Sequence, residues 1–182
     1  MPDLLLTTLP KVLLPAVAIA IMLIAAHKRG LSLSTDLGLA RPRPKAAALF
    51  LLLWLCLMAL EELVTPMLEG AQAKAWPAYP GYIVALRVLA IGLLGPIAEE
   101  LAFRGLLMRL LGRTRLGLAG AIVVTAALWA AIHVQYAPAL LLMIFVDGIV
   151  LGLARHFTAS LYVPMAMHVL GNLFSIYQSL TH

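Results

Sequence analysis

Charged residues and cysteine are scarce in this chain. Asp, Glu, Lys and Arg together make up only 12% of its 182 residues, and Cys56 is its one cysteine. A single cysteine excludes an internal disulfide framework and a cysteine-based metal site. The hydrophobic fraction of 63% and the mean hydropathy of +1.01 lie far above the values of soluble domains. We therefore expect a polytopic membrane protein with an all-α fold, organised as one domain over residues 1–182.

Apolar runs and basic loops predict six transmembrane helices. The runs cover residues 12–26, 46–64, 82–113, 117–133, 138–154 and 161–177, and about six spans of ~20 residues fit this length. Residues 27–45 contain five basic residues against Asp36 alone, which predicts a cytoplasmic loop and places both termini outside. Gly95 and Pro96 divide the third run, which is therefore either a kinked helix or two stacked helices. The net charge of +5 is clustered in loops, with no basic patch interleaved with aromatics, so we expect no nucleic-acid partner.

Three short motifs within these apolar runs carry six polar residues that could form a site. These residues occur in AEELAFRG at 98–105, LWAAIH at 128–133 and HVLGN at 168–172, and comprise Glu99, Glu100, Arg104, His133, His168 and Asn172. Ionisable groups at membrane depth are costly and by default mark a functional site. With the rise of an α-helix, Glu99 and His133 lie about 21 and 24 Å above the cytoplasmic ends of their helices. The sequence therefore predicts one polar cavity shared by three helices.

The two adjacent glutamates are assigned different roles. Arg104 follows Glu100 at i, i+4, the spacing that pairs side chains on a helix, and Glu99 is then left unpaired and faces away. An unpaired carboxylate in an apolar segment is a candidate general base. A carboxylate and an imidazole can deprotonate a shared water, while a second imidazole and an amide stabilise an oxyanion. This set favours hydrolysis of a carbonyl compound, and a site within the bilayer suggests a peptide bond.

Other interpretations of these residues stay open. A lone His or Asn in a membrane helix is often interhelical glue, so a noncatalytic scaffold or immunity protein is one alternative. A proton-coupled transporter is another, although the sequence shows no internal repeat and only one broken segment. There is no HExxH motif and no serine in a glycine-flanked elbow, yet Glu, two His and Asn could in principle bind a divalent metal such as zinc.

A further charge, Asp147, lies in the fifth run. Both Asp147 and Arg104 are about 12 to 13 Å from the cytoplasmic ends of their helices. We therefore expect Asp147 to share Arg104 with Glu100 and so to anchor the helix that carries the glutamates. Gly148 and Gly152 form a small-xxx-small pattern, which predicts close packing against a neighbouring helix.

The three motifs resemble those of the CPBP family of membrane proteins, also called Abi or CAAX prenyl protease 2-like. AEELAFRG, LWAAIH and HVLGN are similar to the family patterns EExxxR, FxxxH and HxxxN, over roughly residues 82–177. One departure is Trp129, which stands where the family pattern has Phe. Tryptophan keeps an aromatic wall at this position, so we expect the substitution to cause little loss of function.

The resemblance implies a helical, glutamate-dependent intramembrane endopeptidase with no cofactor, a zinc-dependent protease being the alternative. By this resemblance, Glu99 and His133 would activate water, and His168 with Asn172 would form the oxyanion site. Glu100 and Arg104 would support the site. The implied partners are the lipid bilayer and a membrane-embedded or lipid-modified peptide or protein substrate. The length is closer to that of bacterial members than to that of the eukaryotic prenyl-processing branch, so we expect the cytoplasmic membrane of a bacterium.

Overall fold

Six helices make up most of the chain that the computed structural model describes, residues 2–68 and 76–181. They are α1 (Pro2–Lys28), α2 (Pro44–Val64), α3 (Gly81–Gly112), α4 (Gly117–Ala131), α5 (Pro138–Thr158) and α6 (Tyr162–Thr181). A 3₁₀ turn, Thr65–Met67, extends α2. These ranges contain no strand, which confirms the prediction of an all-α bundle.

Four of these helices are long and apolar enough to cross a membrane. They are Leu4–Lys28, Pro44–Met67, Gly81–Gly112 and Pro138–Thr158. The helix α4 has only 15 residues and is about 22 Å long, which is shorter than the ~30 Å hydrocarbon core. Six helices are thus confirmed, whereas only four of them in the described ranges meet the criteria for a span. Which termini face outside stays a prediction.

Large apolar side chains lie on the outside of the molecule and several charged ones in its interior, the reverse of a soluble protein. Leu14 and Leu63 each expose 69% of their surface, whereas Glu100 exposes 0% and Arg104 1%. Apolar side chains on the outside match the lipid tails, and buried charges are retained only where other groups satisfy them. The molecule is therefore an integral membrane protein whose polar groups face the interior.

The helix α3 is continuous but changes its hydrogen bonding twice. Two π-helical segments, Val88–Leu94 and Leu101–Leu107, flank the α-helical turn Gly95–Glu100. The N–H of Gly95 donates to the carbonyl of Ala90, five residues back, and the following Pro96 has no N–H to donate. The break is thus absorbed within one helix, which decides between the two alternatives for this run. Such π segments are frequent at functional sites.

Glycines let α5 lie against α4. A Cβ placed on Gly148 would come within 2.8 Å of the Ala126 Cβ, and one on Gly152 within 3.0 Å of Ile122. The predicted small-xxx-small contact is therefore confirmed. Trp54 of α2 and Trp129 of α4 pack in one apolar cluster with residues of α5 and α6.

The basic loop between α1 and α2 is tied to the ends of other helices. Asp36 accepts hydrogen bonds from the Arg109 guanidinium, the shorter at 2.6 Å. The backbone N–H of Ser32 and then Arg109 hold the pKa of the Asp36 carboxyl below its usual value. The carbonyl of Gly38 accepts from the N–H of Leu161 at 2.7 Å, which fixes the start of α6.

Candidate active site

A buried ion pair forms the base of the site. Arg104 donates from Nη1 to Glu100 Oε1 at 2.8 Å, as the i, i+4 spacing predicts. Its Nη2 donates to the carbonyl of Gly148 on α5 at 3.1 Å, and its guanidinium lies 4.7 Å from the centre of the Trp129 ring. These contacts join α3 to α4 and α5, and they compensate the charge of Arg104 away from water.

His168 of α6 stands between the two glutamates. Its Nδ1 lies 3.1 Å from Glu100 Oε1, and its Nε2 lies 3.9 Å from Glu99 Oε2. Because a carboxylate oxygen only accepts, the proton of this hydrogen bond is on Nδ1 of the imidazole. Glu100 therefore orients His168 as well as pairing with Arg104.

Glu99 differs from its neighbour in exposure and in partner. Its side chain is 29% exposed, whereas that of Glu100 is 0% exposed. Its Oε2 accepts a hydrogen bond of 2.6 Å from Nε1 of Trp129. Glu99 is thus not paired with Arg104, as expected, but it has a hydrogen-bond partner that was not expected, because the residue that precedes His133 by one helical turn carries an N–H where a phenylalanine has none.

His133 lies in the turn after α4 and not on the helix itself. The helix ends at Ala131, and Nδ1 of His133 lies 2.8 Å from the Trp129 carbonyl. The carbonyl accepts, so Nδ1 carries the proton and Nε2 keeps its lone pair. The ring lies 5.3 Å from Trp129 in an edge-on arrangement and stacks on Tyr136 at 6.1 Å. Trp129 thus contacts both Glu99 and His133.

Asn172 completes the site by bonding to the irregular part of α3. Its Nδ2 donates to the carbonyl of Ile91 at 2.8 Å. Gly95, which would donate to Ile91 in an α-helix, donates to Ala90 instead, and Pro96 cannot donate. Asn172 therefore satisfies a carbonyl that the π segment leaves free, and its second amide proton is still available.

Asp147 does not make the predicted pair with Arg104. No ion pair within 4.0 Å joins them in the described ranges, and the carbonyl of the next residue, Gly148, takes the guanidinium instead. The Asp147 carboxyl faces Glu61 of α2. Neighbouring residues on a helix point about 100° apart, so a helix that presents Gly148 to Arg104 turns Asp147 aside. The link between α5 and Arg104 is real, but the backbone makes it.

Direct contacts therefore link Glu99, Glu100, Arg104, Trp129, His133 and His168. The contact given for Asn172 is with Ile91, and Asp147 lies apart from Arg104. Three contributors were missed: the Trp129 N–H and the carbonyls of Gly148 and Ile91. The sequence does signal the Trp129 N–H, because it has a tryptophan where the family pattern has a phenylalanine. Backbone carbonyls give no signal, since every residue has one. Within the described part of the chain, no three His, Cys, Asp or Glu side chains form a cluster that could hold a metal ion.

Comparison with known proteins adds a family to this geometry. Residues 81–174, more than half of the chain, match the family described as Type II CAAX prenyl endopeptidase Rce1-like. No curated protein and no solved structure is significantly similar to the chain. The matched segment begins with α3 and ends within α6, so it contains all three motifs, and it implies a membrane peptidase of the CAAX protease type. The chain belongs to the Rce1-like family of type II CAAX prenyl endopeptidases, as its motifs suggested.

Proposed function

We propose that this protein is an intramembrane endopeptidase that hydrolyses peptide bonds of membrane-embedded or lipid-modified substrates. The observation that carries the proposal is the different state of two adjacent glutamates. Glu100 is fully buried and paired with Arg104 and His168, whereas Glu99 is 29% exposed. A carboxylate in that position is suited to act as a general base.

His133 is the partner of Glu99 in activating water. Nδ1 of His133 donates a hydrogen bond to the Trp129 carbonyl. The lone pair on Nε2 is therefore free to accept a hydrogen bond from the water. Glu99 takes the water proton while the water oxygen forms a bond to the carbonyl carbon of the substrate. When the tetrahedral intermediate breaks the C–N bond, Glu99 returns the proton to the leaving amine.

His168 and Asn172 stabilise the negative oxygen of that intermediate. Nδ1 of His168 is directed at Glu100 and Nε2 lies on the side of Glu99, so Nε2 is the ring nitrogen that would reach the oxyanion, as a donor when it carries a proton. Asn172 donates one amide proton to Ile91 and has a second for the oxyanion. Hydrogen-bond donors that are already in place around the oxyanion usually supply a large part of the rate enhancement in acyl transfer.

The proposed reaction needs no metal ion. Glu99 itself takes the proton of the water, so the reaction does not require a metal-bound hydroxide. We also propose a bacterial cytoplasmic membrane as the location, which fractionation of the native host tests directly.

Cleavage of membrane peptides by the purified protein in liposomes tests the function. Prenylated and unprenylated forms of each candidate peptide are compared, because the family description names prenyl substrates. Glu99→Gln should lower kcat by about 100-fold or more, since it removes the base. Glu62→Gln is the control: Glu62 also follows a glutamate, but it is exposed at the end of α2 and bonds to Gln178. Cleavage by Glu99→Gln at the rate of wild type would overturn the proposal.

A further inference from the structure

The indole of Trp129 is both buried and hydrogen-bonded. It exposes 4% of its surface, and its Nε1 donates to Glu99 Oε2 at 2.6 Å. A phenylalanine, which the motif FxxxH has at this position, would fill the same wall without a donor. The hydrogen bond is therefore a property of this chain that aromatic packing alone does not require.

The hydrogen bond makes the two oxygens of Glu99 unequal. Oε2 receives the indole N–H and lies 3.9 Å from Nε2 of His168. Oε1 has no hydrogen bond to any residue in the described ranges. A charge-assisted hydrogen bond as short as this one strongly restricts the rotation of the carboxylate, so Oε1 is the oxygen left to accept a proton.

The ring itself is held from several sides. The guanidinium of Arg104 lies 4.7 Å from its centre, and the imidazoles of His133 and His168 contact it edge-on at 5.3 and 5.0 Å. A donor packed in this way has little freedom, so it can hold the carboxylate in one orientation. The same ring also touches both histidines of the proposed mechanism.

We propose, building on the proposed function, that Trp129 is a positioning residue that holds Glu99 by Oε2 and leaves Oε1 to take the proton of the water. Its effect is on the chemical step and not on substrate binding. Loss of the N–H should therefore appear in kcat with KM nearly unchanged.

Two substitutions separate the N–H from the packing. Trp129→Phe keeps an aromatic ring, and benzothienylalanine at position 129 keeps the size of the indole while replacing N–H by sulfur. Trp54→Phe is the matched control, because Trp54 is also 4% exposed and lies in the same cluster, while its Nε1 has no partner in the described ranges. Both changes at 129 should lower kcat by about tenfold or more, with KM within about twofold.

The control variant should keep its kcat. A wild-type kcat in the benzothienylalanine protein, or an equal loss of kcat in Trp54→Phe, overturns the proposal. A tenfold loss in Trp129→Phe that benzothienylalanine restores also overturns it, because ring size would then be the cause.

A second measurement does not depend on turnover. In protein labelled with ¹⁵N at the indoles, Glu99→Gln replaces a charged acceptor by a neutral one and should move the N–H signal of Trp129, assigned by its loss in Trp129→Phe. The signal of Trp54 should stay in place. An unmoved Trp129 signal refutes the contact with Glu99. If no peptide is cleaved but the signal moves, the positioning geometry stands and the proposed function fails.

Discussion

Adding one methyl group at Gly148 should weaken the protein and its activity together. A Cβ at this position would lie 2.8 Å from the Cβ and 2.9 Å from the Cα of Ala126, where ordinary contact begins at 3.4 Å. The Cα belongs to the backbone of α4, so α5 has to move by about half an ångström. Overpacking of this kind costs about 1–3 kcal/mol, partly offset by about 1 kcal/mol of helix propensity.

The same movement would draw the Gly148 carbonyl away from Arg104, to which it is bonded at 3.1 Å. We therefore expect Gly148→Ala to lower the free energy of unfolding in a detergent titration by up to about 2 kcal/mol and to cleave peptide about tenfold more slowly. Gly152→Ala is the control on the same helix. Its Cβ would meet only the side chain of Ile122, at 3.0 Å, which can adjust.

Gly152→Ala should therefore lie within about 0.5 kcal/mol of wild type. Ala126→Gly removes the nearer of the two clashing atoms and should restore part of the stability of Gly148→Ala. The reasoning is refuted if Gly148→Ala matches wild type in both assays. It is also refuted if Gly152→Ala is the more damaging of the two changes.

Two further outcomes follow from single contacts and a third from the proposed reaction. Asn172→Ala should lower the free energy of unfolding by about 1–3 kcal/mol, because the carbonyl of Ile91 loses its donor, and it should also slow turnover; a full-rate, full-stability variant contradicts both roles. The pKa of Asp36 is below its usual value of 3.8, so the charged carboxylate stabilises the fold above that value and the contribution is lost as the pH falls through the lower, folded value. The Tm of Asp36→Asn should accordingly lie below that of wild type at about pH 6 and approach it as the pH falls below 3.8, whereas a difference that grows with acid would contradict this reasoning. Cleavage should persist in EDTA and phenanthroline, since the proposed reaction has no metal step; loss of activity that one added metal restores would support the zinc-dependent alternative.

Much of the site could be predicted because its signals are local. A carboxylate and an arginine at i, i+4 share a helix face, and Glu100 does pair with Arg104. The cost of polar groups in lipid makes such residues stand out in an apolar run. The sequence alone was also enough to place His168 and Asn172 on one helix.

The sequence by itself determined the bundle of helices, the membrane environment and the candidate polar residues, because hydropathy and helical spacing are read along the chain. The tertiary structure decided which partner each polar group takes. Arg104 bonds to a carbonyl of α5 and not to Asp147, and Glu99 accepts from Trp129. These choices depend on how each helix is rotated about its axis and on backbone groups that every residue has, so no residue pattern records them.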